Sequence, residues 1–448
     1  KAKTKKAAEA VRDLAAELLE VQAERRLRAV DALPPDDRDQ ILFEESFGYT
    51  DTEDQARVTF EVKSDLVKGL AMDRLVCGDV GYGKTEIAVR AAFKCAQNGK
   101  QVAVLVPTTV LAHQHARVFA ERMAQYPVRV DVVSRFRSPA EQKKVIKETA
   151  AGQVDVLIGT HRLLSKDVAF KDLGLVVIDE EQRFGVEHKE RLKALRRTVH
   201  VLTLSATPIP RSLHMALSGA RDISLLQTPP PGRAPVETKV ARFSRGLVRR
   251  AIERELARDG QVFVVHDRVK SIEHLARTIR ELVPTARVLV VHGQLPEHEI
   301  EDRMLRFFEH EADVLVATTL IENGLDIRRA NTLIVDRAHH YGLSELHQLR
   351  GRVGRSDVRA YAYMLIPETG ELSDVARRRL RAIEEFSDLG AGFQIALRDL
   401  EIRGAGNVLG AEQSGHIANV GYDLYCRLLK RAMAELQGRQ GAAPGKPA

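Results

Sequence analysis

Tryptophan is absent, aromatic residues make up only 5% of the chain, and cysteine occurs three times in 448 residues. Each shortage excludes something. Cys77, Cys95 and Cys426 have neither an even count nor metal-ligand spacing, so a disulfide framework and a cysteine-based zinc site are excluded and reduced core thiols are expected. No run approaches eighteen apolar residues, and no membrane-spanning helix is expected. The first residues, Lys1-Ala2-Lys3-Thr4-Lys5-Lys6, lead into a charged helical pattern rather than an apolar leader, so the expectation is a cytoplasmic protein. With 44% hydrophobic and 29% charged residues, the composition is that of a soluble globular protein long enough for two or three domains. A net charge of +7 and a pI of about 9.2 suit a polyanionic partner, although charge alone is a weak signal.

Residues 5–30 place Ala7, Val11, Leu14, Leu18 and Val21 on one helix face, and Pro34-Pro35 ends the pattern. This is either an ordinary packing helix or a lever laid across a neighbouring domain. Apolar strand-like runs then alternate with helical patterns at 75–77, 102–106, 129–133, 154–158, 175–178 and 201–204. Such alternation predicts a parallel sheet with helices on both faces. The cluster Thr228-Pro229-Pro230-Pro231-Gly232-Arg233-Ala234-Pro235 reads as a semi-rigid linker. A second series follows at 262–265, 287–291, 314–317, 332–335 and 360–365, and from Glu371 helical patterning returns around a Gly-rich loop. The stretch 437–448 is Gly, Ala, Pro and Gln rich, the composition of a disordered tail.

Where the first strand meets an alanine-rich helix, Gly78-Asp79-Val80-Gly81-Tyr82-Gly83-Lys84-Thr85 spells G-x-x-x-x-G-K-T. Glycines let backbone N–H groups curl around phosphate oxygens at a helix N-terminus, while Lys84 reaches the β- and γ-phosphates and the Thr85 hydroxyl serves Mg²⁺. The ordinary alternative, a Gly-rich turn with a chance lysine, does not explain the strand before and the helix after. At the end of the fifth strand, Asp179-Glu180-Glu181-Gln182 offers Asp179 to Mg²⁺ and Glu180 to polarise an attacking water, with the P-loop strand expected as its neighbour. Ser205-Ala206-Thr207-Pro208 ends another buried strand in hydroxyls that can hydrogen-bond a nearby acid. The second series has no G-K-T. It supplies Gln348-Leu349-Arg350-Gly351-Arg352-Val353-Gly354-Arg355, where Arg352 and Arg355 are candidate arginine fingers rather than a solvated basic loop.

Strand-end loops carry small hydroxyl residues suited to phosphate contacts that read no bases. They are Thr108 and Thr109, Thr160-His161-Arg162, and Thr318-Thr319, with Gly324 and Asp326 facing the ATP cleft further on. His113 and His161 read as solvated or structural, and no His/Cys/Asp spacing resembles a metal site.

This ordered set resembles the superfamily 2 helicases, and more closely the bacterial transcription-repair coupling factors (Mfd) and the related RecG helicases. Further matching residues are Phe47-Gly48-Tyr49 through Gln55, similar to a Q motif in which Gln55 contacts adenine, and Ser134-Arg135-Phe136-Arg137-Ser138, whose arginines would bind DNA. His292-Gly293-Gln294 matches as well. The most discriminating stretch is 392–407 continued by Gln413-Ser414-Gly415, which looks like the translocation motif shared by coupling factors and RecG; Arg398, Arg403 and Gln413 match its polar positions. Departures are mild: Asn323 stands for an expected Ser, and Arg337-Ala338-His339-His340 permutes a charge pattern.

The resemblance implies an α/β fold of two tandem RecA-like domains with an N-terminal helix and a C-terminal helical hairpin. It divides the chain as 1–40 relay-like helix, 41–227 first domain, 228–375 second domain, 376–436 translocation motif and 437–448 tail. It implies ATP and Mg²⁺ as cofactors, double-stranded DNA as partner, and Gln182, Ser205, Thr207 and Gln348 as coupling residues. RNA polymerase and excision-repair proteins would bind through domains not in this sequence, no membrane is involved, and the site of action is the bacterial nucleoid. A RecG-like chain would be expected to carry a fork-binding wedge ahead of the core, and none is seen. The damage-recognition half, the polymerase-interaction domain and the C-terminal autoinhibitory domain of a coupling factor are missing as well, so an excised motor fragment or a truncated homologue is expected. The alternatives are a fork-remodelling helicase and a non-catalytic, nucleotide-gated binding module.

Overall fold

The computed structural model describes residues 29–181, 184, 192, 198–206, 222–231, 235–318, 327, 329–354, 358–386, 395, 398, 399 and 402. The expected helix over 5–30 lies outside them except for Ala29 and Val30, which are not helical: Ala29 forms an antiparallel bridge with Leu70, so the helix does not extend to residue 30. Cys426, the tail and most of the translocation motif also lie outside the described residues. Two short helices lead in, α1 (Arg38–Glu45) and α2 (Glu53–Val67). Thr52 and Gln55 cap the second reciprocally, each side chain accepting from the other's backbone N–H.

The first domain then runs β1 (Asp73–Gly78), α3 (Lys84–Gln97), β2 (Gln101–Leu105), α4 (Thr109–Met123), β3 (Val130–Val133), α5 (Pro139–Ala150), β4 (Val156–Gly159), β5 (Leu173–Asp179), β6 (His200–Ser205) and β7 (Asp222–Leu226). The strands form one parallel sheet in the order β3-β4-β2-β5-β6-β1-β7. Alternate residues bury on opposite faces: Val102, Val104 and Val177 join one aliphatic cluster, Ala103, Leu105, Val176 and Ile178 the other. Both faces being covered explains why these strands read as continuous apolar runs.

The second domain repeats the plan: β8 (Glu237–Arg242), α6 (Arg245–Leu256), β9 (Gln261–Val265), α7 (Val269–Leu282), β10 (Val288–Val291), α8 (Glu297–Phe308), β11 (Val314–Ala317), β12 (Ala330–Val335), α9 (Leu343–Arg350), β13 (Tyr361–Ile366) and α10 (Asp374–Glu385). Its sheet is also parallel, in the order β10-β11-β9-β12-β13-β8. The expected strands are therefore present, in two RecA-like sheets.

Two strands escaped the apolar-run criterion, β7 and β8, the outer strands on either side of the Pro-rich stretch. β8 is exposed or half-exposed along its length and intersperses Glu, Lys and Arg among Thr, Val and Ala, so no continuous run marks it. One adjacency also needs correcting. The acid-bearing β5 is not beside the P-loop strand β1; β6 lies between them, hydrogen-bonded to both. Ser205, at the end of β6, thus falls between the two chemistry-bearing strand ends.

Candidate active site at the domain cleft

The P-loop turns on two glycines in the left-handed region, Gly81 (φ 81°) and Gly83 (φ 79°). At Gly83 the backbone conformation favours glycine, and a Cβ there would lie 2.3 Å from Gln55 Nε2 and displace that amide. Gln55 Nε2 donates to the Tyr82 carbonyl (3.1 Å) while its Oε1 accepts from Thr52 N–H (2.8 Å), which ties the α2 cap to the loop. Both ends of the Gln55 amide, expected at adenine, are used this way. α3 begins at Lys84 with no side-chain cap, so its first N–H groups are left to the loop. Lys84 Nζ donates to the carbonyls of Gly78 (2.6 Å) and Asp79 (2.9 Å). Burial pushes the Lys84 ammonium below its ordinary value, against the pull of Glu180, Asp179 and Asp79.

The two acids at the end of β5 are driven apart. Burial would raise Asp179, but a hydrogen bond from His115 and the charges of His115, Lys84 and Arg352 hold it below the usual carboxylate range. Burial and the Asp179 charge raise Glu180. One carboxylate is kept ionised and its neighbour is disposed to take a proton, the division of labour that acid–base chemistry requires. Glu180 also sits at φ 51°, an unfavoured conformation for a non-glycine residue, held by its N–H to Leu204 O (3.0 Å) and by Ala206 N–H to its Oε1 (3.0 Å). Lys84, Thr85, Asp179, Glu180 and Arg352 line one cavity of about 1070 Å³. A hydroxyl and an ionised carboxylate facing one space are hard oxygen donors, which fits Mg²⁺. Phe47 also lines the cavity, and two guanidiniums approach its ring, Arg90 (5.1 Å) and Arg122 (5.6 Å), both hydrogen-bonded to buried Glu86.

The second domain closes this cavity. Arg352 is buried against it, and a Cβ on Gly351 would approach Val80 Cγ2 to 3.1 Å. His347, one residue before the stretch singled out from sequence, reaches Asp79 Oδ1 with Nε2 at 2.9 Å across 268 residues. Its Nδ1 faces Arg350 Nη2 (3.1 Å), and because arginine only donates, Nδ1 accepts and Nε2–H donates to Asp79. Arg350 Nη1 in turn donates to Ile383 O on α10 (2.9 Å), completing a polar chain from α10 to the P-loop.

Comparison with known proteins agrees with this architecture. The family model for DEAD/DEAH box helicases matches residues 52–216, and that for the helicase conserved C-terminal domain matches 246–357. The transcription-repair-coupling factor of Mycobacterium bovis is 56% identical over 438 residues, 98% of this chain. That of Bacillus subtilis is 55% identical over 434 residues, 97% of the chain. The chain belongs to the transcription-repair coupling factor family. It spans 36% of the length of the Mycobacterium bovis relative. A solved structure of RecG bound to a three-way DNA junction superimposes with a TM-score of 0.78 at 34% identity, over 96% of this chain and 57% of that one. The two domains are those of an ATP-hydrolysing superfamily 2 helicase.

In this coupling-factor chain the DNA-contact candidates of the first domain gather on the other half of its sheet. The ends of β3, β4 and β2 carry Arg135 and Arg137, Thr160 to Arg162, and Thr108 with Thr109, on adjacent strands. Several are partly engaged: Thr108 caps α4 through Leu111 N–H (3.4 Å), Arg137 pairs with Asp131 (2.5 Å), and Arg162 pairs with Asp167 through both terminal nitrogens (2.6 Å). Thr109 and Thr160 are buried, and His161 is exposed. His113 is structural in kind, 3.3 Å from Ser134 Oγ and packed on Phe136. Thr318 directly follows β11, Gln348 is half-buried on α9, and Arg398 is exposed. Gln182, Thr207, Thr319, Gly324, Asp326, Arg355, Arg403 and Gln413 lie outside the described residues. Sequence reasoning missed His115 and His347, whose partners lie far along the chain; adjacency to the arginine motif was the only signal for the second. Among the described residues no helix is long and apolar enough to cross a membrane, and no cluster of His, Cys, Asp and Glu could hold a metal by itself.

Proposed function

We propose that this chain is the motor of a transcription-repair coupling factor, an ATP-driven translocase on double-stranded DNA. One observation carries the reading: Arg352 and His347 of the second domain meet the P-loop wall of the cavity that Lys84, Asp179 and Glu180 line. In this mechanism the P-loop backbone and Lys84 hold the phosphates, Glu180 takes the proton of the attacking water, and Arg352 with Arg355 stabilises charge on the transferring phosphoryl group. Mg²⁺, held by Thr85 and Asp179, would neutralise phosphate charge. Phe47 and Gln55 are assigned to the adenine base, and Gly324 and Asp326 to ATP by the motif resemblance. Closure and reopening of the two domains step Thr108, Arg135, Thr160, Thr318 and their neighbours along the phosphate backbone without sequence preference.

We assign the domains as 41–227 and 228–375, followed by a translocation motif at 376–436 in which Arg398, Arg403 and Gln413 couple hydrolysis to movement. Displacement of RNA polymerase and recruitment of excision-repair proteins belong to the longer relatives and are proposed here by family membership. The test is displacement of a triplex-forming strand from linear duplex DNA. Wild type with ATP should displace it and Glu180→Gln should not; equal displacement by both refutes the reading. The likeness to RecG on a three-way junction favours one second reading, remodelling of forked DNA. ATPase rates several-fold higher on forks than on linear duplex would select it.

A further inference from the structure

His115 belongs to none of the motifs above. It lies two turns into α4, on the face whose Leu111, Ala112 and Phe119 bury against the sheet. A histidine there would ordinarily be a core residue with both ring nitrogens satisfied. Here only one is. Nε2 stands 3.1 Å from Asp179 Oδ2, while Nδ1, also buried, has no hydrogen-bond partner. The imidazole is 6% exposed and the carboxylate 16%, so solvent competes little for the contact. Among the described residues His115 is the one hydrogen-bond partner of the Asp179 side chain; Lys84 and Arg352 act on it through charge.

An orphaned Nδ1 in the core is unfavourable, and packing alone does not account for an imidazole where leucine would fill the space without a stranded polar atom. What the ring supplies is a rigid N–H aimed at one oxygen of the acid. We propose that His115 is a positioning residue for the cation site: it holds Asp179 Oδ2, fixes the carboxylate's rotation, and leaves the second oxygen to Mg²⁺. This rests on the assignment of Asp179 as the cation-binding acid. Outer hydrogen bonds that orient metal-ligating groups typically change metal affinity 10- to 100-fold when removed.

The test uses the whole chain and a fluorescent methylanthraniloyl-ADP, titrated with Mg²⁺ and separately in EDTA. Three variants are compared: His115→Ala, His115→Gln, whose amide nitrogen reaches the place of Nε2, and His115→Asn, which reaches only the place of Nδ1. The Mg²⁺ concentration for half-maximal tight binding should rise about tenfold in His115→Ala and His115→Asn and stay within about twofold of wild type in His115→Gln. Affinity in EDTA should be the same in all four proteins. The proposal is overturned if His115→Ala titrates like wild type, if Asn rescues as well as Gln, or if affinity in EDTA falls in parallel. Asp179→Asn, run alongside, separates the two levels. An unmoved Mg²⁺ requirement in that variant removes the cation-site assignment itself; a raised requirement there with wild-type behaviour of His115→Ala removes only the positioning role.

Discussion

Breaking the His347–Asp79 contact should open the cleft by a calculable amount. The bond is 2.9 Å long and joins side chains that are 10% and 14% exposed, one on each domain. Hydrogen bonds to charged groups contribute about 1.5–3 kcal/mol, and slight exposure puts this one near the lower end, about 1.5–2 kcal/mol. At about 1.4 kcal/mol per factor of ten, removing it shifts the closed-to-open ratio some 10- to 30-fold. The assay is energy transfer between dyes on the two domains, at Lys144→Cys on α5 and Arg277→Cys on α7, without nucleotide. His347→Ala, Asp79→Ala and the double variant form a thermodynamic cycle that cancels any separate effect of Asp79 on the loop. Both single variants should lose transfer, and the double variant should lose little more than either. Additive losses, with a coupling under about 0.5 kcal/mol, would refute the view that this pair holds the domains together.

Lys84→Ala should abolish ATP hydrolysis, measured by phosphate release; DNA-stimulated turnover in that variant would overturn the phosphate-site assignment. Burial pushes Asp54 up, but Arg57 and the N–H groups of Gln227 and Thr228 hold it down at about 2, below its ordinary 3.8. Its contribution to stability is therefore complete above pH 3.8 and lost as pH falls through about 2, so the acid-side decline in Tm should be shallower in Asp54→Asn. Phe43 and Phe93 are fully buried and stacked with centroids 3.9 Å apart, fastening α1 to α3. Phe93→Ala should cost the first domain about 3–5 kcal/mol in urea unfolding.

Much of this fold could be read from the chain because parallel strands covered on both faces leave continuous aliphatic runs such as Val102-Ala103-Val104-Leu105. The phosphate loop was equally legible, since its chemistry is confined to eight consecutive residues. β8 was not, because an edge strand with one partner has no need of an apolar sequence. The order of strands in space was only half legible: nothing in the runs at 175–178 and 201–204 says that the later strand inserts between the earlier one and β1. The two histidines were illegible for a related reason. A histidine on a helix face has the same local pattern whether it is a spacer or a donor, and the acids that decide it lie 64 residues away for His115 and 268 for His347.

The Pro-rich stretch joins β7, the outer strand of one sheet, to β8, the outer strand of the other, with only residues 227–236 between them. Ten residues reach at most about 35 Å when fully extended. On so short a tether, meeting of the domains is an intramolecular event, at an effective concentration on the order of millimolar. A contact too weak to hold two separate proteins together is then sufficient to bring the arginine-bearing wall onto the phosphate loop, and weak enough to let it go again.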